Sequence, residues 1–390
     1  MPARKTGEYS ISRLGGEKVA AFVPFPLPPD PPLDISDDLR DSMDRALVEI
    51  GRLDGMASQL PDTALVLYMY VRKEAVLSSQ IEGTQSSLSD LLLFEMGGEP
   101  GVRAEDAREV SNYVAAAGHG MRRLAGGFPL CNRLLKEVHG ILLAKGRGAD
   151  KRPGEFRNSQ NWLGGTGPGN ALFVPPPADR VAECMSDLEK FLNDRPARTS
   201  PLIKAALAHA QFETIHPFLD GNGRLGRLLV TLLLCREGVM RQPLLFLSLY
   251  FKIHRKEYYD LLQAVRTRGD WEAWLEFFLD AVRDNAVQAV RTAERMSKLA
   301  AEDREHLRLL RRMAGSAIQI HHVMMRYPML TVSAACKATG LVPNTVGKVL
   351  DRLVEDGLVK ELTGGKRNRI FTYTKYMKIL NEGTEPGPAG

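Results

Sequence analysis

The stretch His216-Pro-Phe-Leu-Asp220-Gly-Asn-Gly-Arg224-Leu-Gly-Arg227 runs directly into Leu228-Leu-Val-Thr-Leu-Leu-Leu-Cys235, and the fold is read outward from there. The second part is apolar on nearly every helical face, which marks a buried helix rather than a surface one. The first part is polar and glycine-rich and sits at that helix's N-terminal end. Free backbone N–H groups and the positive end of the helix dipole point outward together there, the arrangement that binds phosphate. Each residue also has an ordinary reading. His216 serves as a structural histidine, Asp220 as a helix cap, Gly221-Asn222-Gly223 as a turn, and Arg224 and Arg227, three apart on one helix face, as surface residues. Taken together they are the set a hard anion site needs: open amides, two guanidinium forks for phosphate oxygens and a carboxylate to hold Mg²⁺ beside them. His216 adds a base with an ordinary pKa of about 6.5. Because it precedes a proline, it is expected in extended rather than helical backbone.

The bulk composition agrees with a soluble globular protein of two or three domains: 390 residues, 44% hydrophobic and 25% charged. A net charge of +5 and a pI near 8.9 permit an anionic ligand and do not by themselves imply nucleic acid. Cys131, Cys184, Cys235 and Cys336 show no zinc-like spacing and no disulfide framework, so reduced thiols in a cytoplasmic protein are expected. No signal peptide is evident behind Met1-Pro-Ala-Arg-Lys-Thr6, and no apolar run approaches the roughly 18 residues of a membrane span.

In chain order, Phe22–Pro32 is proline-dense and reads as an extended arm on the domain surface, with a ligand for a proline-recognising domain as the alternative. Helical pattern starts near Ser36 and weakens at Gly51 and Gly55. Pro61 suits the first turn of the next helix, which should stop at Gly83. Helices are expected over about 86–96, 104–124, 129–144, 178–193, 201–215 and 223–236, then from His254 and from Trp271 toward residue 312. Between 146 and 177 the periodicity breaks. Trp162-Leu163 and Leu172-Phe173-Val174 flank a glycine-rich tip and read as a β-hairpin flap. Near the C-terminus, 331–339 and 344–356 read as two helices and 358–362 and 369–373 as strands, a helix-turn-helix with a wing.

The opening stretch resembles the signature of the Fic family, HPFxDGNGRxxR, at every defined position. The arm, the Gly154-Glu-Phe-Arg157 start of the flap and the 254–279 helical region are similar too. The resemblance implies a mainly α fold: a Fic helical core with a β-hairpin flap, plus a C-terminal winged helix-turn-helix domain. The expected division is 1–125 for an N-terminal arm and helical region, 126–285 for the catalytic core, and 286–380 for a connecting helix and the winged helix. The implied activity is protein adenylylation (AMPylation), in which a nucleotidyltransferase moves AMP from ATP to a Ser, Thr or Tyr hydroxyl of a target protein.

Carried over by position, His216 is the general base and Asp220 holds Mg²⁺ or Mn²⁺. Gly221, Asn222, Gly223, Arg224, Leu225, Gly226 and Arg227 bind ATP, with Arg224 at the β-phosphate and Arg227 at the γ-phosphate. Tyr258 and Tyr259 fall where the family lines the adenine pocket, and packing in the core is their other reading. Many relatives carry an asparagine where this chain has His254 or Arg266. Flap residues Asn161, Trp162, Leu172, Phe173 and Val174 would pair with target backbone. Ser78-Ser-Gln-Ile-Glu82-Gly83 fits the family's inhibitory motif, in which Glu82 competes with the γ-phosphate for Arg227. Two other readings remain open: a DNA-binding regulator with a nucleotide-sensing core, using Lys348, Lys360, Lys366, Arg367 and Arg369, and a de-AMPylase. Expected partners are the target protein, the chain itself through auto-AMPylation, and a second copy in a homodimer; duplex DNA is left open and no membrane is expected.

Overall fold

The computed structural model describes residues 4–385 except 15, 60–62, 99–100 and 366–367; Pro61 and the wing residues Lys366 and Arg367 lie outside the described residues. The chain begins with an antiparallel hairpin, β1 (Gly7–Leu14) and β2 (Glu17–Pro24), in register from Gly7 opposite Pro24 to Leu14 opposite Glu17. The sequence pattern predicts no strands here. The proline-dense arm does run along the surface, with Phe25, Pro26, Pro28 and Asp30 exposed, but Val23 and Leu27 anchor it in the main core and the Phe25 carbonyl accepts a bond from Gln211. Proline fixes extended backbone, but the apolar residues between the prolines still seek burial.

Helices then follow in close succession: α1 (Asp37–Gln59), α2 (Thr63–Ile81), α3 (Leu88–Glu95), α4 (Ala104–Ala125) and α5 (Asn132–Leu142). Gly51 and Gly55 do not end α1, because α1 lies along a much longer helix that holds it. A glycine costs an exposed helix only about 1 kcal/mol, and tertiary packing overrides that. Ser87 and Asp90 form a capping box that starts α3. After the flap come α6 (Val181–Leu192), α7 (Pro201–Ile215), α8 (Asn222–Arg236), α9 (Ser248–Ile253), α10 (Arg255–Arg268) and α11 (Trp271–Arg308). Pro201 opens α7 at its first turn.

Helices α7 and α8 pack on each other at the centre. Every residue from Lys204 to Ile215 and from Arg224 to Leu234 is buried. Each buried leucine of α8 contributes about 1.5–3 kcal/mol relative to exposure. The expected flap exists, but as a single bridge, Leu163 opposite Phe173, with the Phe22 N–H of β2 bonded to the Val174 carbonyl at 2.9 Å.

The C-terminal part comprises α12 (Ala314–Arg326), β3 (Met329–Thr331), α13 (Val332–Thr339), α14 (Pro343–Glu355), β4 (Val359–Glu361), β5 (Ile370–Tyr373) and α15 (Thr374–Asn381). Its strands form one antiparallel sheet in the order β3-β5-β4 beside the two-helix motif. The long helix expected to reach residue 312 ends at Arg308, and α9, α12 and α15 have no counterpart in the sequence reading. No helix among the described residues is long and apolar enough to cross a membrane.

Candidate active site

The loop between α7 and α8 is shaped by its backbone. His216 is the C-cap of α7, with φ 48° and ψ 60°, and its N–H bonds to the Phe212 carbonyl at 2.9 Å. It is therefore left-handed, not extended as the following proline suggests. Closing the last turn of α7 and turning the chain back onto α8 demand this conformation, at a cost of about 1–2 kcal/mol. Arg157, buried, holds the turn. Its guanidinium donates to the carbonyls of His216 (2.9 Å), Ser159 (3.1 Å), Pro176 (2.5 Å) and Ile215 (3.4 Å). Asn222 accepts from the Phe218 N–H at 2.9 Å and donates to the Phe218 carbonyl at 2.8 Å, clamping the loop at its far end. Gly221 caps α8 in left-handed backbone (φ 75°) and its N–H bonds to Asp220 Oδ1 at 2.6 Å.

His139 of α5 supports the same loop. It accepts the Gly154 N–H on Nδ1 at 2.9 Å, so the proton sits on Nε2 and is donated to the Asp220 carbonyl at 3.0 Å. The ring stacks on Phe218 at 3.7 Å. Burial holds its pKa down to about 4, so it stays neutral.

Both arginines are buried rather than on the surface, and each is met by a carboxylate from another helix. Arg224 lies 2.6 Å from Glu109 of α4 and 3.6 Å from Asp220. Arg227 reaches Ser78 Oγ at 2.9 Å, the Ser78 carbonyl at 2.8 Å and Glu82 Oε1 at 2.7 Å. Glu82 stands in the turn that ends α2, where Gly83 takes φ +98°. Burial raises the Glu82 pKa, but the Arg227 charge and hydrogen bond outweigh this and leave it below the usual carboxylate range. Its carboxylate rests against the first turn of α8: a Cβ on Gly223 would lie 2.1 Å from Glu82 Oε1. An anion already sits where the α8 N-terminus favours one.

The His216 imidazole is kept neutral. Burial lowers its pKa to about 4, with help from the charges of Arg266 and Arg157, and its Nδ1 lacks a well-aligned hydrogen bond. Arg266 bonds Thr214 Oγ1 at 3.1 Å and the Glu213 carbonyl at 3.2 Å, and its guanidinium stacks 3.9 Å above Phe173 of the flap. In the flap, Asn161 donates to the Phe218 carbonyl at 2.9 Å. Leu172 is 82% and Trp162 41% exposed, while Phe173 and Val174 are buried, Val174 against Val19 and Ala21 of β2.

Tyr258 is not open to a ligand. It is buried among Phe251 and Trp274, and its hydroxyl donates to His209 Nε2 at 2.8 Å while His209 Nδ1 serves the Gly226 carbonyl at 2.9 Å. Tyr259 is 42% exposed and within electrostatic reach of Glu82 and Arg227. Leu225 is core.

Glu109, His139 and Arg266 were not singled out as site residues, although position on a helix face offered a signal for two of them. Glu109 shares the apolar face of α4 with Tyr113 and Ala116, and His139 that of α5 with Leu135 and Leu142. A charged or titratable group on a buried face needs a partner.

Among the described residues no three His, Cys, Asp or Glu side chains are grouped to enclose a metal. Asp220 offers a partly exposed hard oxygen donor (35% exposed) beside the anion cradle, while the other partly exposed carboxylate there, Glu82, is bonded to Arg227. That fits Mg²⁺ or Mn²⁺ shared between one carboxylate and substrate phosphates, and does not fit an all-protein metal cage.

Residues 40–122 match the Fic/DOC family N-terminal model and residues 129–234 match the Fic/DOC family model, which spans the α7–α8 loop. Both regions thus carry a Fic/DOC family match, and the second contains the whole α7–α8 loop. Over 128 residues it is 40% identical to the protein adenylyltransferase Fic of Aedes aegypti and 38% identical to that of Culex quinquefasciatus. In both cases the match takes in 33% of this chain and 23% of the relative, so the chain spans about a quarter of the length of these curated Fic proteins. A crystal structure of a Fic family protein from Desulfovibrio desulfuricans G20 superposes with a TM-score of 0.57 at 22% identity, covering 88% of this chain and 98% of that one. That likeness extends the Fic fold well beyond the loop.

Proposed function

We propose that this Fic protein transfers AMP from ATP to a Ser, Thr or Tyr hydroxyl of a target protein, and that Glu82 restrains the transfer by occupying Arg227. The observation that carries the reading is the meeting of three groups at one helix N-terminus: a neutral imidazole, two buried arginines, and a carboxylate already sitting in the anion position.

The incoming hydroxyl oxygen attacks the α-phosphorus while the bond to the β-phosphate bridging oxygen breaks and diphosphate leaves. The hydroxyl proton passes to the unprotonated ring nitrogen of His216, a task typically worth about 10²–10⁴ in rate. The amides of Gly221, Asn222 and Gly223 meet the charge building on the phosphates. Arg224, held by Glu109, faces the β-phosphate, and Arg227 takes the γ-phosphate once Glu82 has left it. A divalent cation held by Asp220 would neutralise phosphate charge at this end. The exposed Leu172 and Trp162 edge receives target backbone as an added strand. A guanidinium fork bonded to one carboxylate cannot serve a phosphate as well, and two anions at one site repel.

The test is incubation with α-labelled ATP and Mg²⁺, comparing the native chain, Glu82→Gly and His216→Ala. Labelled protein, including the enzyme itself, is expected from Glu82→Gly and little from the other two. An unlabelled Glu82→Gly sample would overturn the reading.

A further inference from the structure

The last described segment of the chain lies on the helix that carries the brake. After α15, residues 382–385 turn back, with the Thr384 N–H and hydroxyl both bonded to the Asn381 carbonyl at 2.8 Å. The carbonyls of this turn then receive side chains from two helices outside the C-terminal part, α2 and α9. Lys73 of α2 donates to the Glu382 carbonyl at 2.7 Å, and Gln80 of α2 donates to the Thr384 carbonyl at 2.8 Å. Lys252 of α9 donates to the Glu385 carbonyl at 2.6 Å, to the Gly383 carbonyl at 3.3 Å and to Gln80 Oε1 at 2.7 Å. Gly383 has φ +81°, a conformation strained for any other residue, and a Cβ there would stand 2.8 Å from a methyl of Leu249, which would have to shift. Thr384 is 1% exposed, and Arg295 of α11 pairs with the Glu382 carboxylate at 2.6 Å.

Gln80 is two residues from Ser78 and two from Glu82. At about 100° per residue it projects from the opposite side of the turn. One side of that turn is therefore held by Arg227, through Ser78 and Glu82, and the other by the C-terminal segment, through Gln80. A helix end has few hydrogen bonds of its own and frays unless something holds it. Gln80 also donates to the nearby Ser86 carbonyl at 2.9 Å, but the remaining holding carbonyls lie more than 300 residues away from α2 in sequence and are reached only if α15 and the winged helix before it are docked.

We propose that residues 382–385 act as a clasp that keeps the end of α2 folded and Glu82 seated on Arg227, so that the C-terminal domain sets the strength of the brake. The inference rests on the reading that Glu82 restrains Arg227. Undocking α15 breaks the carbonyl contacts to Lys73, Gln80 and Lys252 together, and the turn bearing Glu82 then competes poorly with a γ-phosphate.

The experiment uses Lys252→Met, which removes two clasp contacts and the bond to Gln80 Oε1, and a chain ended at Asn381, which removes the clasp and leaves the Lys252–Gln80 pair in place. Each is made in the native background and with Glu82→Gly. Hydrogen exchange of residues 76–84 is expected to quicken in both clasp variants, and auto-adenylylation with α-labelled ATP to rise about tenfold over the native chain. With Glu82→Gly present, neither clasp variant should add to the rate. Unchanged exchange at 76–84 in both variants overturns the clasp, as does a rate increase that persists on top of Glu82→Gly. If Glu82→Gly itself yields no labelled product, the activity reading fails, and exchange at 76–84 still decides the clasp.

Discussion

Gly223 has no room for a side chain while Glu82 is in place. A Cβ there would lie 2.1 Å from Glu82 Oε1 and 3.1 Å from an Arg227 nitrogen. Alanine would displace the carboxylate, yet it would equally fill the space in front of the α8 amides that a phosphate needs. Gly223→Ala is therefore expected to lose Glu82's hold on Arg227 without gaining activity. A fluorescent ATP analogue should bind this variant at least about tenfold more weakly than Glu82→Gly, the equivalent of about 1.4 kcal/mol. Equal or tighter binding would show that the cradle lies elsewhere. The charge state of His216 gives a second expectation at this scale. A histidine with a lowered pKa is an unprotonated base at every pH above about 4. Removing Glu82 takes away a charge that raises this pKa. The acid limb of kcat/KM for Glu82→Gly, which reports groups on the free enzyme, should fall near or below 4 rather than near 6.5. A limb at 6.5 would mean that His216 is solvated or is not the base.

The elements differ in how far the sequence revealed them, and the reason is where their stability comes from. Helices α7 and α8 were legible nearly to the residue, because Pro201 starts one, Gly238 follows the other, and apolar residues fall on most faces of both. The β1–β2 hairpin was not, because its anchor is distant: the Phe22 N–H bonds Val174 and Val19 and Ala21 pack on Val174. The α7–α8 loop was legible in chemistry and illegible in conformation. Its composition declared an anion site, but the left-handed His216 follows from packing α8 against α7, and no local rule favours a histidine there before proline. This strain is measurable. His216→Ala and His216→Gly both lack the imidazole, and they differ chiefly in how readily they adopt positive φ. The glycine variant should be the more stable by about 1 kcal/mol in urea unfolding, despite the greater freedom of its unfolded chain. Equal stabilities would mean that the loop relaxes once the imidazole is gone.

Across the whole molecule, burial has made histidines poor bases and carboxyls poor acids, and the two act oppositely on stability. His139, His209, His216 and His321 all have pKa values lowered to about 4, chiefly by burial. A depressed histidine contributes stability above its unfolded pKa of about 6.5 and loses it as the pH falls below that value, because only the unfolded chain takes up the proton. Glu74 and Glu213 are raised to about 7, again by burial, and Glu109 is raised as well. A raised carboxyl contributes below its unfolded pKa and loses that contribution as the pH rises through its folded pKa. Between about pH 6.5 and 4.5 four histidines thus favour unfolding on acidification, and Glu74 and Glu213 oppose them, with Glu109 acting in the same direction as those two carboxyls. The histidines outnumber the carboxyls, so the melting temperature should fall across this range. Glu74→Gln and Glu213→Gln remove two of the opposing groups while keeping their shape. In the double variant the fall should steepen by up to about 1.4 kcal/mol per pH unit for each carboxyl removed. Calorimetry at constant ionic strength on the native chain and the double variant measures both slopes, and parallel slopes would show that Glu74 and Glu213 ionise normally in the folded protein.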